Sequence, residues 1–250
     1  MAEKEVLYEI KEGIAYITLN RPEKLNAIDP AMRELLWDAF QDVKDNPDVR
    51  CAIVTGAGRA FSTGHDLVAM AAGHANEGHS TGDLYVVQSN IWKPIIAAIN
   101  GICLAQGCGI ALGSDIRIAS ENAQFGCFEI RRGLPNPPDP LIRLIGFGPA
   151  LHMLLSGDLF DAEEALRFGL VTKVVPPPEL MSTVEALAQR IAEHPIDVLK
   201  ATKKAAFTGR DMATEQSEAY ARALSAPLRD SDTSREGVTA FAERRRANYG

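Results

Sequence analysis

The sequence predicts an α/β protein that ends in a helical region. Short apolar runs of strand length alternate with helix-periodic segments through the first two thirds of the chain. The triplet Pro176-Pro177-Pro178 then punctuates it, and the long segments beyond carry helical periodicity only. The natural partition is an α/β core over residues 1–178 and a helical C-terminal region over 179–250.

Residues 6–10 and 14–19 are apolar runs split by Lys11-Glu12-Gly13, a hairpin signal. Asp29 then Pro30 form an N-cap and first-turn pair. Behind them Met32, Leu35, Leu36, Ala39, Phe40 and Val43 recur at helical spacing until Asp45-Asn46-Pro47 stops the helix. CAIVT, residues 51–55, reads as a buried strand. Residues 71–82 are polar and rich in Gly and His, so a mobile loop is expected. A helix running to Trp92, a strand over 94–99 and the turn Asn100-Gly101 follow. After Gly107 come a short apolar helix and a strand over 116–119; residues 160–175 read as helix, then strand. The C-terminal helices cover 179–193, 196–207, 212–226 and 234–247, the last opened by a capping box of Thr233 and Glu236.

A net charge of −7 leaves no excess basic charge to neutralise phosphates, which argues against nucleic-acid binding. No run approaches the ~18 apolar residues of a membrane-spanning helix. The opening MAEKEVLYEI lacks the apolar stretch of a signal peptide. Cys51, Cys103, Cys108 and Cys127 sit in apolar surroundings without a CxxC pair. Buried free thiols, no metal and a cytoplasmic setting are expected.

GAGRAF, residues 56–61, imitates the start of a dinucleotide fingerprint, but Phe61 replaces its third glycine. No Walker A, HExxH or GxSxG sequence is present. FSTGHDL (61–67) and NGICLAQGCGIAL (100–112) are strand-end loops of small residues, the second opening an apolar helix. Backbone N–H groups in such loops can face a ligand oxygen, aided by the helix dipole. Two converging donors make an oxyanion hole, worth ~10²–10³-fold per donor. Two ordinary glycine turns would leave the same signature.

Five ordered segments resemble the enoyl-CoA hydratase/isomerase (crotonase) superfamily. They are NRPEKLNAI (20–28), FSTGHDL, AINGICLAQGCGIAL (98–112), ENAQFGCFEIRRGL (121–134) and SREGVTAFAERRRANY (234–249). The resemblance implies a spiral of ββα repeats whose C-terminal helices drive assembly as a homotrimer or a dimer of trimers. It implies an acyl-CoA thioester as substrate and no cofactor, because coenzyme A travels with the substrate. The N–H groups of His65 and Gln106 would form the hole. Lys24, Leu25, Ala27, Thr63, Asp66, Leu67 and Gly107 would line the substrate site. Arg244, Arg245 and Arg246 would meet coenzyme A phosphates or form a solvated helix face.

The pattern breaks at Gly109, where the family's hydratases carry the first of two glutamates; Glu129 is the carboxylate that remains. Loss of a general acid–base group costs ~10²–10⁴ in rate. In an apolar pocket Glu129 would have the raised pKa that proton shuttling needs. His65 stands where alanine is usual: either its N–H alone serves, or its imidazole reaches the acyl group, as in the resembling methylmalonyl-CoA decarboxylases. Gln106 replaces a glycine, at ~1–2 kcal/mol if that backbone needs a positive φ. In PNPPDP (135–140), Asp139 is either a displaced second acid or a turn residue. The expected function is an acyl-CoA-processing enzyme acting through a thioester enolate, with Glu129 as acid/base. Hydratase, one-base isomerase and malonyl-type decarboxylase are its possible reactions; a non-catalytic acyl-CoA-binding protein is the alternative class.

Overall fold

Turn chemistry sets the first element of the structure, a computed structural model that describes residues 4–74 and 77–249. β1 (Val6–Lys11) and β2 (Ile14–Leu19) pair antiparallel, from Val6 opposite Leu19 to Lys11 opposite Ile14. Glu12 (φ 50°) and Gly13 (φ 76°) are both left-handed, as a two-residue hairpin turn requires. α1 (Pro30–Asp45) starts on Asp29, whose carboxylate accepts from the Met32 N–H at 2.9 Å. It buries Met32, Leu36, Phe40 and Val43.

The chain then repeats one unit: a strand in a large sheet, a tight turn, a strand in a small sheet, and a helix. The first unit is β3 (Cys51–Gly56), β4 (Ala60–Ser62) and α2 (Leu67–Ala71). α3 (Thr81–Ser89) precedes the second, β5 (Ile95–Ile99), β6 (Ile102–Leu104) and α4 (Gln106–Gly113). β7 (Ile116–Ser120) and β8 (Gln124–Gly126) lead into a 3-10 turn, Phe128–Arg132. α5 (Asp139–Ile145), α6 (Phe147–Ser156), β9 (Phe160–Asp161), α7 (Ala162–Arg167) and β10 (Lys173–Val175) follow. The large sheet runs β1-β2-β3-β5-β7-β10 and the small one β4-β6-β8-β9. β2 through β10 of the large sheet pair parallel, as do β4, β6 and β8 of the small one. This is the expected ββα spiral.

The large sheet's central strands are covered on both faces, which accounts for their unbroken apolar runs. Ala52, Val54, Ile95, Ala97 and Ile99 join the core that includes the buried side of α1. Their alternates Cys51, Ile53, Ile96 and Ala98 pack with Val184 and Ala188 of α8 (Leu180–Ala192). α9 (Ile196–Gly209), α10 (Thr214–Arg229) and α11 (Asp232–Ala242) complete the chain. All four cysteines are buried and free. Among the described residues no helix is long and apolar enough to cross a membrane.

Several boundaries differ from expectation for local reasons. The helix expected to reach Trp92 ends at Ser89, capped by Asn90. The loop placed at 71–82 is shorter, because Ala71 closes α2 and a Ser80–Asp83 capping box opens α3; its residues 75–76 lie outside the described residues. Residues 139–140, read as part of a loop, open α5. α11 starts on a Ser231 cap rather than a Thr233–Glu236 box. Glu236 is taken elsewhere: Arg245 bonds both its oxygens at 2.6 and 2.9 Å, and the Asn248 N–H donates to it at 2.8 Å. The helix therefore ends at Ala242, and Arg244–246 lie beyond it.

Candidate active site

β4, β6 and β8 lie side by side and parallel, so their C-terminal ends open on one edge of the small sheet. The segments leaving those ends carry His65, Gln106 and Glu129. All three, with Gly109 and Asp139, line one cavity of about 540 Å³. Met70, Tyr85, Leu112, Leu134, Leu141 and Leu154 make most of its remaining wall apolar. Its size suits a small-molecule group.

His65 follows β4 in a single parallel bridge to Ile28. The Ile28 N–H donates to Gly64 O at 2.7 Å, and the Asp66 N–H donates to Ile28 O at 2.9 Å. Those bonds use His65's two neighbours and turn its own N–H to the opposite side. Gln106 is the first residue of α4, where N–H groups have no partner within the helix. The two loops touch: a Cβ on Gly64 (φ 86°) would lie 2.9 Å from Gln106 N. Among the described residues, neither the His65 nor the Gln106 N–H has a hydrogen-bond acceptor. Gln106 itself is helical, and the positive φ falls one residue earlier, on Ala105 (φ 50°, ψ −124°). Such backbone costs ~1–3 kcal/mol in a non-glycine residue and is found where a site holds it in place. Gly107 is needed for close approach, since a Cβ there would lie 2.4 Å from Ser62 O.

Glu129 sits in the 3-10 turn after β8. Burial pushes its carboxyl above the usual range, opposed by its own N–H, by the Asn136 carboxamide and by Arg132. Its Oε2 is buried and, among the described residues, has no hydrogen-bond partner. Burial, with Arg33 nearby, holds His65 below the ordinary histidine value, which favours its neutral imidazole. Asn136 was not singled out in the sequence; its only signal was its place in the proline-rich segment facing Glu129.

Asp139 reaches the cavity from the first turn of α5, where its side chain is 66% exposed and paired with Arg143 at 2.8 Å. Arg143 also pairs with Asp211. An exposed, paired carboxylate is a poor proton shuttle. Asp139→Asn is therefore expected to leave kcat and its pH profile within a few-fold of wild type in steady-state kinetics. Loss of one limb of the profile would instead make it a second acid.

The other selected residues flank this edge. Thr63 N–H donates to Leu25 O at 3.1 Å, which docks residues 24–27 beside β4. Leu25 (φ 53°) and Asn26 (φ 55°) are left-handed, and buried Asn26 holds the bend by donating to Ala57 O and Ala60 O. Lys24 and Leu67 are exposed. Asp66 is buried and engaged within the chain: Oδ1 caps α2 through Val68 and Ala69, while Oδ2 meets Arg21 at 3.2 Å and Lys24 at 3.4 Å. Arg245 is committed to Glu236 and Glu243, and Arg246 lines a separate surface cavity with Arg50 and His194.

A ββα spiral with a cavity at the open edge of its small sheet defines a crotonase-fold protein. The chain belongs to the enoyl-CoA hydratase/isomerase family, whose model matches residues 9–250. It is 41% identical to the (E)-benzylidenesuccinyl-CoA hydratase of Thauera aromatica over 96% of both chains. It is 35% identical to the crotonyl-CoA hydratase of Syntrophomonas wolfei, over all of this chain and 99% of the other. The solved enoyl-CoA hydratase of Mycobacterium tuberculosis H37Rv superposes with a TM-score of 0.91 at 33% identity, covering 98% of each chain. This protein is thus an enzyme of the hydratase/isomerase type with acyl-CoA substrates.

Proposed function

We propose that this enzyme adds water across the double bond of a 2-enoyl-CoA with a bulky apolar acyl chain, using Glu129 as its one proton carrier. The observation that carries this reading is the unpartnered, buried Glu129 Oε2 in a cavity shared with two unpaired N–H donors. Glu129 takes a proton from water as the oxygen bonds to Cβ. The π electrons move onto the thioester oxygen, where the His65 and Gln106 N–H groups receive the enolate charge. Glu129 then returns the proton to Cα. One carboxylate closes the cycle, because it ends as it began.

The apolar wall supports a bulky acyl group, as does likeness to a hydratase whose named substrate carries a benzylidene group. Lys24, Leu25, Ala27, Thr63, Leu67 and Gly107 would receive coenzyme A along the adjoining edge, with no further cofactor. A homotrimer belongs to the same proposal, supported by Phe241 on α11, which is 87% exposed in the single chain. The test is the ultraviolet absorbance of crotonyl-CoA and cinnamoyl-CoA with the enzyme. Loss of the conjugated signal, faster with the aryl substrate, is expected. Gain of conjugation from a 3-enoyl-CoA, without loss from either 2-enoyl thioester, would make it an isomerase. Binding without turnover of any of them would make it an acyl-CoA-binding protein.

A further inference from the structure

Gln106 and Gly109 lie one helical turn apart on the same face of α4. A Cβ built on Gly109 would stand 3.2 Å from Gln106 Oε1 and 3.4 Å from its Cδ and Nε2. The Gln106 carboxamide therefore covers the patch of wall that any longer side chain at 109 would fill. Both residues line the cavity that holds Glu129. A carboxamide offers one acceptor oxygen and two N–H donors. Among the described residues, none hydrogen-bonds this one, although the residue is half-buried. Its oxygen and nitrogen are not among the buried unpartnered atoms, so they stay accessible at the cavity wall and available to whatever the cavity holds.

We propose that the Gln106 side chain positions the water that Glu129 deprotonates, an inference that rests on the hydratase reading above. Its Oε1 accepts one O–H of the water while Glu129 accepts the other, leaving an oxygen lone pair free for Cβ. The amide is neutral at working pH, so it orients the water without taking its proton. Glu129 alone titrates. The same residue then serves at two points: its backbone N–H holds the thioester oxygen, and its side chain holds the nucleophile. Both are anchored to the first turn of α4, which fixes the distance between them. Asp139 does not compete for the water, being exposed and paired with Arg143.

The test compares two reactions of the intact enzyme. Hydration of crotonyl-CoA needs the positioned water; exchange of the α-protons of butyryl-CoA in D2O, followed by NMR, needs only Glu129 and the hole. Gln106→Leu is expected to lower the ratio of hydration to exchange by ~10²-fold, the usual cost of a misplaced reactant. The loss should fall on kcat more than on KM. Gln106→Glu is expected to restore part of that ratio and to add a second ionisation to the pH profile of hydration. If hydration and exchange fall together, so that the ratio is unchanged, the side chain acts only through the fold and the inference is overturned. A Gln106→Glu enzyme with the wild-type pH profile would overturn it as well. Exchange without hydration of any enoyl thioester by the wild type would remove the hydratase reading, and this inference with it. Hydration by the wild type with an unchanged ratio in Gln106→Leu would remove this inference alone.

Discussion

Glu129→Gln is expected to lower kcat for the enzyme's enoyl-CoA by ~10²–10⁴-fold, the range for losing a general acid–base group. KM should move far less, because glutamine keeps the shape of the wall and the proposed coenzyme A contacts lie elsewhere. The pH dependence gives a second check. Burial raises the Glu129 pKa, and the proposed forward reaction uses the carboxylate, so kcat/KM should rise with pH through a value above the ordinary carboxylate range. That limb should vanish in the glutamine variant. Stability should move the opposite way. A carboxyl whose pKa is raised on folding contributes stability below its unfolded pKa, and this is lost as pH rises through the folded value. Glutamine removes the loss, so the variant should be more stable than wild type at neutral pH. The gain should be at most about 1 kcal/mol, because the site is partly open to solvent. A variant that keeps full turnover would end the role assigned to Glu129.

Local chemistry made some of this structure legible in the sequence, and long-range geometry hid the rest. The first hairpin and the start of α1 could be read because Glu12-Gly13 and Asp29-Pro30 act on their own neighbours. His65, Gln106 and Glu129 are picked out by motif, and the spiral explains why residues so far apart line one cavity: each follows one of three adjacent parallel strands. Nothing in an alanine announces a φ of 50°, so the strained residue before α4 fell one position from where it was expected. Glu236 looked like half of a capping box, since Arg245 can claim it only once the chain turns back after Ala242. Asn136 and the cover that Gln106 gives to Gly109 are side-chain placements, which spacing alone does not reveal.

Lys203→Met is expected to cost about 3–5 kcal/mol of stability, the usual effect of breaking a buried ion pair from one side. For a chain of this size that is a fall in Tm of roughly 6–20 °C. The reason lies in how sparsely α9 is held. Its only buried residue is Gly209, so packing contributes little to its grip on the core. Lys203 reaches inward instead, bonding Asp115 Oδ2 at 2.6 Å and Lys93 O at 3.0 Å. Asp115 Oδ2 also accepts the Ile95 N–H at 2.7 Å, which ties this helix to the start of β5 and to the junction between α4 and β7. Burial pushes Asp115 up and Lys203 down, each toward its neutral form, and their mutual attraction opposes both shifts. Without the ammonium, Asp115 is left as an uncompensated buried charge, and among the described residues its Oδ1 already has no partner. Its pKa then rises further, so the variant is penalised least below the unfolded carboxylate pKa and most once pH exceeds the folded value. Urea midpoints at mildly acidic and at neutral pH should therefore show the gap to wild type widening with pH. Adding Asp115→Asn to Lys203→Met should recover most of the loss, because the amide oxygen still accepts the Ile95 N–H and no charge is stranded. If the double variant is as unstable as Lys203→Met alone, the lysine works by filling space and the ion pair is incidental.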